Sequence, residues 1–209
     1  MSSNRSLIIG MLLGDATIHR ESHNLRIIHG ANQREYLEYK VMILQREQRE
    51  PLVVQEFDNS GYVGFRVCTK RRPIYRILRN RLYRNGIKTP AREILDQLDL
   101  PAIAIWFMDD GSTSFKNRNG KVHAVEVTLN TYLSREDNET IVMYFQETWG
   151  IRWGLNLSKG KYRLRMGTIE GRKFCALIEP YIIPSMRYKI EKLLTNKTKL
   201  FDGKLKKII

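Results

Sequence analysis

The chain is poor in cysteine, proline, acids and long apolar runs, and each shortage excludes something. Cys68 and Cys175 are its only two cysteines in 209 residues, too few for a disulfide scaffold and in keeping with a reduced, intracellular, non-secreted setting. Six prolines leave no Pro-rich linker, and no Gly/Ser-rich stretch divides the sequence. No run approaches the roughly 20 apolar residues that span a bilayer. The N-terminus lacks the charged, apolar and small-residue regions of a secretory signal. Asp and Glu number 22 against 36 Lys and Arg, giving a net charge of +14 and a pI near 9.9. Such an excess repels itself unless an anion is bound, and nucleic acid is the favoured partner, ahead of a membrane surface. The 42% apolar content is ample for a core.

Against this background two segments carry one pattern. Residues 7–18 and 102–113 are apolar runs that stop at an acid, Asp15 or Asp110, followed by a small residue and a hydroxyl. A carboxylate ending a buried run is poorly solvated. Two of them in equivalent places point to a pair that holds a metal ion. Gly10 and Gly14 lie four apart on one face of the first run, and each costs a helix about 1 kcal/mol relative to alanine. Close approach of the second run would offset that loss. Packed about a twofold axis, the runs would end side by side and bring Asp15 and Asp110 together, where they need a divalent cation or a shared proton.

The rest of the chain repeats as well. Alternating segments at 25–29 and 123–129 precede amphipathic stretches at 36–44 and 138–145. Further alternating segments at 65–69 and 164–168 keep Arg66 and Arg165, and Thr69 and Thr168, in register. Helical stretches at 74–82 and 173–181 follow, and Lys88 and Lys189 come at the ends of the two copies. Residues 59–61 and 158–160 read as hairpin turns. The expected organisation is a first half over 1–86, a connection over 87–101 with a short helix at 91–98, and a second half over 102–209. The fold class is α+β with antiparallel sheets, a pseudo-dimer with one core. Trp106 and Phe107 belong to that core, and His19, His23 and His123 lack the spacing of a zinc site.

With these residues the chain resembles the single-chain, two-motif LAGLIDADG homing endonucleases along nearly its whole length. The nine-residue motif is matched in frame although not letter by letter. Asp15 and Asp110 take the eighth position, Gly10 and Gly14 the third and seventh, and Ala104 and Gly111 the second and ninth. Ile105 replaces the usual glycine and Asp109 the usual small residue. Segments around Lys88, at 129–131 and at 180–189 extend the similarity.

The resemblance implies two αββαββα halves with antiparallel, saddle-shaped sheets and the motif helices at their interface. It implies Mg²⁺-dependent hydrolysis of both strands of a long DNA site, leaving short 3′ overhangs, with Mn²⁺ or Ca²⁺ able to substitute in binding. Asp15 and Asp110 become metal ligands, the backbone carbonyls of Gly14 and Asp109 further ligands, and Lys88 and Lys189 active-site lysines. The Asp109 side chain reads as a solvated neighbour of Asp110 in preference to a supporting group. Phosphodiester hydrolysis calls for such parts: activated water, stabilised phosphorane charge and help for the leaving oxygen.

Arg26, Arg66, Arg163 and Arg165 lie on alternating segments, where every second side chain would face DNA. Arg20, His29, Lys70, Arg71, Arg72, Lys116, Arg118, Lys121, Glu126, Thr128, Lys159 and Lys161 lie on the same segments or their turns. Together they form the expected phosphate and base-edge surface. The expected partner is double-stranded DNA, bound by a monomer. The alternatives are an intron RNA maturase and a DNA-binding relative without catalysis.

Overall fold

The computed structural model describes residues 3–195. The first half runs α1 (Asn4–Leu13), β1 (Thr17–Ile18), β2 (Leu25–Gly30), α2 (Arg34–Gln45), β3 (Gln55–Asn59), β4 (Tyr62–Cys68) and α3 (Pro73–Leu82). A small hairpin of β5 (Tyr83–Arg84) and β6 (Ile87–Lys88), then α4 (Arg92–Leu95), leads into the second half. That half runs α5 (Leu100–Asp110), β7 (Gly111–Arg118), β8 (Lys121–Leu129), α6 (Arg135–Trp149), β9 (Gly154–Ser158), β10 (Lys161–Met166), α7 (Thr168–Ile178) and α8 (Tyr188–Thr195). The sheets β1-β2-β4-β3 and β7-β8-β10-β9 have the same antiparallel order, so the expected α+β duplication is present. Among the described residues no helix is long and apolar enough to cross a membrane.

Local chemistry sets these elements. Ser60-Gly61, Asn85-Gly86, Asn119-Gly120 and Lys159-Gly160 all have positive φ at both residues, as a two-residue hairpin with the right strand twist requires. Helix α5 is capped by Asp99, whose carboxylate accepts the Ala102 N–H at 3.1 Å. Helix α6 is capped by Ser134 and ends at Gly150, whose φ of 64° is left-handed.

Helices α1 and α5 are apolar on all sides and buried on all sides, from Leu7 to Leu13 and from Ala102 to Met108. They pack against each other at the centre of the molecule. A Cβ on Gly10 would stand 2.3 Å from the Ala102 carbonyl oxygen, so the two backbones touch there. Ile105 occupies the place of the usual second glycine, and the close approach therefore uses Gly10 against the Ala102 backbone instead of a glycine pair. At the other end Ser6 Oγ donates to Asp99 Oδ1 at 2.9 Å and accepts the Asp99 N–H at 3.0 Å. Trp106 and Phe107 are core, stacked near Phe145 and edge-on to Phe174.

Several boundaries differ from expectation. Tyr83 pairs with Lys88, so the small hairpin straddles the division placed between residues 86 and 87. The connecting helix at 91–98 shrinks to α4 followed by turns. Helix α7 begins at Thr168, and Pro180 closes the stretch expected at 173–181 as a 3₁₀ turn. Helix α6 extends beyond 138–145 at both ends, its first turn solvated and its last reaching Trp149, which packs on the core.

The Gly10 contact predicts that Gly10→Ala lowers stability by about 1–3 kcal/mol through overpacking, despite the better helix propensity of alanine. Urea unfolding of the two proteins checks this, and an unchanged or raised midpoint would show that the helices are not in backbone contact.

Candidate active site and nucleic-acid interface

The two motif helices end in matched surroundings. Asp15 follows Gly14, the C-cap of α1, and Asp110 is the last residue of α5. Lys88, at the end of β6, donates from Nζ to the Gly14 carbonyl at 2.6 Å. Lys189, in the first turn of α8, donates to the Asp109 carbonyl at 2.9 Å. Each lysine thus grips the carbonyl just ahead of one acid. The carbonyls of Gly14 and Asp109, expected as metal ligands, already accept one hydrogen bond each and keep one lone pair. The Asp110 carbonyl accepts both the backbone N–H and the side-chain amide of Asn130 at 3.0 Å.

The electrostatics fit a cation. Burial raises the Asp110 pKa to about 7, helped by Asp109 and Asp15 and opposed by Lys88. The Asp15 side chain is 41% open to solvent, yet its pKa is also raised, by desolvation first and then by Asp109, against Lys40, Lys189 and Lys88. Burial lowers Lys88 and Lys189, and the aspartates partly restore them. Asp15 and Asp110, whose charges repel, form with the neighbouring carbonyl oxygens an all-oxygen donor set suited to a hard divalent cation.

The Asp109 side chain is not solvated. It is fully buried, and its Oδ1 pairs with Lys40 Nζ at 2.6 Å, itself fully buried. Its Oδ2 accepts the Asp15 N–H at 3.1 Å. The aspartate that replaces the usual small residue thus fills the space facing Gly14, where a Cβ would stand 2.2 Å from Oδ2. Lys40 also donates to His29 Nε2 at 3.0 Å and lies 4.4 Å over the Tyr36 ring. Because Lys40 can only donate, His29 Nε2 is the acceptor and Nδ1 carries the proton, facing Gln33 Oε1 at 3.0 Å. Burial and Lys40 lower the His29 pKa to about 4, so the ring is neutral near pH 7.

His29 is therefore removed from the DNA-facing set. Strand β2 alternates Leu25, Ile27 and His29 inward with Arg26 and Ile28 outward. One signal was present: Lys40 sits in the buried stripe of α2 with Tyr36, Leu37, Ile43 and Leu44, where an apolar residue belongs. A lysine in that place needs a buried acid, and Asp109 is that acid. Asp15, His29 and Asp109 have ligand atoms within 4.8 Å of one another, and the Lys40 ammonium already touches two of the three.

The outer sheet faces carry most of the remaining expected residues. Arg26 and Arg66 are exposed, with Arg66 held by Gln55 at 3.1 Å. Arg163 is half-buried against Asn156. Glu126 and Thr128 lie on the outer side of β8 but are covered, with 6% and 5% exposure. Glu126 is clasped by Lys116 at 3.0 Å and Arg165 at 2.7 Å, and Thr128 by Ser112 at 2.7 Å. Glu126 is sheltered beneath the basic side chains it holds, Thr128 pairs with a hydroxyl, and neither projects. Arg20, Arg71, Arg118 and Lys159 are exposed at turns, and Lys161 stands over the Tyr132 ring. Lys70 is exposed but pairs with Glu50 at 2.5 Å. Arg72 turns inward to the Glu47 carbonyl at the start of α3. Lys121 opens β8 opposite Arg118, and its side chain lies outside the described residues.

The Asp110 shift predicts a pH signature in the metal-free protein. Its folded pKa of about 7 exceeds the ordinary 3.8, so between those values the folded state binds the extra proton. Its contribution to stability then falls as pH rises through that window. Asp110→Asn removes the charge, so relative to wild type the variant should gain stability with rising pH. The gain should reach about 2–4 kcal/mol above roughly pH 7 and vanish below about pH 4. Paired urea titrations across that range measure it, and a difference independent of pH would remove the strained carboxylate from the site.

Comparison with known proteins agrees with this geometry. "Protein RecA" of Mycolicibacterium flavescens is 28% identical over 197 residues, which cover 88% of this chain and 45% of that protein, so the chain spans less than half of that relative. The "Probable intron-encoded DNA endonuclease 3" of Mycosarcoma maydis is 31% identical over 102 residues, covering 48% of this chain and 70% of that protein. The solved structure of the homing endonuclease I-WcaI bound to its DNA recognition sequence superposes with a TM-score of 0.76 at 22% identity, over 91% of this chain and 87% of that one. The LAGLIDADG DNA endonuclease family model matches residues 5–174, spanning both motif helices and both sheets, and the chain belongs to that family.

Proposed function

We propose that this protein is a site-specific homing endonuclease that makes a Mg²⁺-dependent double-strand break in a long DNA target, leaving short 3′ overhangs. The observation that carries the reading is the pairing of two acids of raised pKa with two half-buried lysines at the meeting ends of α1 and α5. Asp15 and Asp110, with the free lone pairs of the Gly14 and Asp109 carbonyls, are the groups that would hold the metal. A divalent cation held there would supply a water of lowered pKa and offset charge gained by the scissile phosphate.

The chain's own side chains do the rest. Lys88 and Lys189 keep their ammonium groups beside the acids, tethered by one hydrogen bond each, and stabilise the charge developing on the phosphates. The exposed arginines and lysines of the two sheets and their turns hold the DNA backbone on either side. Clasped arginines such as Arg66 and Arg165 present a fixed guanidinium to base edges in the major groove. With both half-sites in one chain, a monomer reads an imperfectly palindromic target.

Cleavage of a randomised DNA library with Mg²⁺, followed by sequencing of the ends, tests the reading, and cut RNA or intact DNA would refute it. Asp15→Asn or Asp110→Asn should lower double-strand cleavage by more than about 100-fold while leaving DNA affinity nearly unchanged, because most affinity comes from phosphate and groove contacts elsewhere. With about 6–10 phosphate contacts, affinity should fall roughly 10³–10⁵-fold between about 50 and 200 mM salt. A salt-insensitive complex would show that the basic faces are not the binding surface.

A further inference from the structure

We propose that Asp109, Lys40 and His29 form a positioning unit that holds the Asp15 backbone and not that of Asp110, so that the two acids are equivalent as ligands and unequal in support. The proposal rests on the endonuclease reading for its effect on cleavage, and on geometry alone for its effect on Asp15.

The two acids leave their helices differently. Asp110 is still part of α5, and its carbonyl is pinned by Asn130 from both backbone and side chain. Asp15 lies beyond α1, after Gly14 has left helical geometry with φ −87° and ψ −130°. Its backbone is held from the opposite half, by the bond from its N–H to Asp109 Oδ2. Asp109 is held in turn by Lys40, which His29 and the Tyr36 ring enclose.

Among the described residues the second half has no copy of this unit. The residue before its partner acid, Gly14, has no side chain. Ile28 faces Arg66 and Thr128 faces Arg165 in the sheet registers, which makes Leu129 the counterpart of His29. Leu129 is buried and apolar. The buried positions of α6 are Asn138, Ile141, Tyr144 and Phe145, with no cation among them.

A buried ion pair of this kind is weak evidence for stability, since an apolar pair of similar volume often serves as well. What an apolar pair cannot do is accept the Asp15 N–H. Asp109→Leu combined with Lys40→Met therefore removes the positioning bond while keeping the core filled. Asp109→Asn and Lys40→Met alone each leave one buried charge unpaired and are the more destabilising companions.

Two measurements decide the proposal. In the protein without metal or DNA, amide hydrogen exchange at Asp15 should speed up by at least about tenfold in the double variant, with Asp110 unaffected. On a target labelled differently on each strand, cleavage of one strand should slow by about 10–100-fold, the range for groups that orient a metal ligand. The other strand should stay within about twofold, and DNA affinity should not change. Equal slowing of both strands, unaltered rates, or unaltered Asp15 exchange would overturn the proposal. If wild type cuts neither strand, the endonuclease reading fails, and the exchange measurement still decides whether Asp109 holds Asp15.

Discussion

Backbone contact between α1 and α5 is the constraint on which the rest depends. Gly10 against the Ala102 carbonyl leaves no room for a side chain, and that closeness puts the ends of the two helices at one place. Everything chemical follows from those ends. Two acids of raised pKa arrive there, two lysines reach in from β6 and α8, and the sheets fan out from the same junction. Wider packing would ease the acids, and it would also dissolve the site, since each acid's raised pKa depends on burial and on carboxylate neighbours.

The duplication is close in topology and loose in chemistry. Sheet order, hairpin turns and the lysine-to-carbonyl bonds recur in both halves. The charges beneath the acids do not. One half buries Lys40 and His29 where the other buries apolar side chains, and Asp109 links that polar cluster across the interface. A twofold fold needs only matching backbones and matching volumes. Buried charge is less forgiving, because each charge demands a partner at hydrogen-bond distance, and a partner found in one half need not exist in the other.

On the outer faces a similar economy operates. Glu126 lends a negative charge to a positive surface, and its effect is to clasp Lys116 and Arg165. Gln55 does the same for Arg66, and Asn156 for Arg163. A long basic side chain that is already oriented loses less freedom on meeting a base edge than a loose one. Charged residues that look like DNA contacts in sequence thus divide into those that reach outward and those that hold the reachers.

Much of this was legible in residue order alone. The repeated apolar runs, the terminal acids, the matched lysines and the alternating strands are periodic or symmetric, and periodicity needs no third dimension to be seen. Asp109, Lys40 and His29 were another matter. In sequence Asp109 is one of two adjacent acids, Lys40 one of many lysines, and His29 a polar residue on a basic strand. Only the tertiary structure could pair them, because their partners are separated by up to 69 residues and meet through an interface between halves. Periodicity determined which elements form and which faces they bury. The packing of α1 on α5 decided which buried charges meet, since a carboxylate finds its partner by distance in space, whatever its distance along the chain.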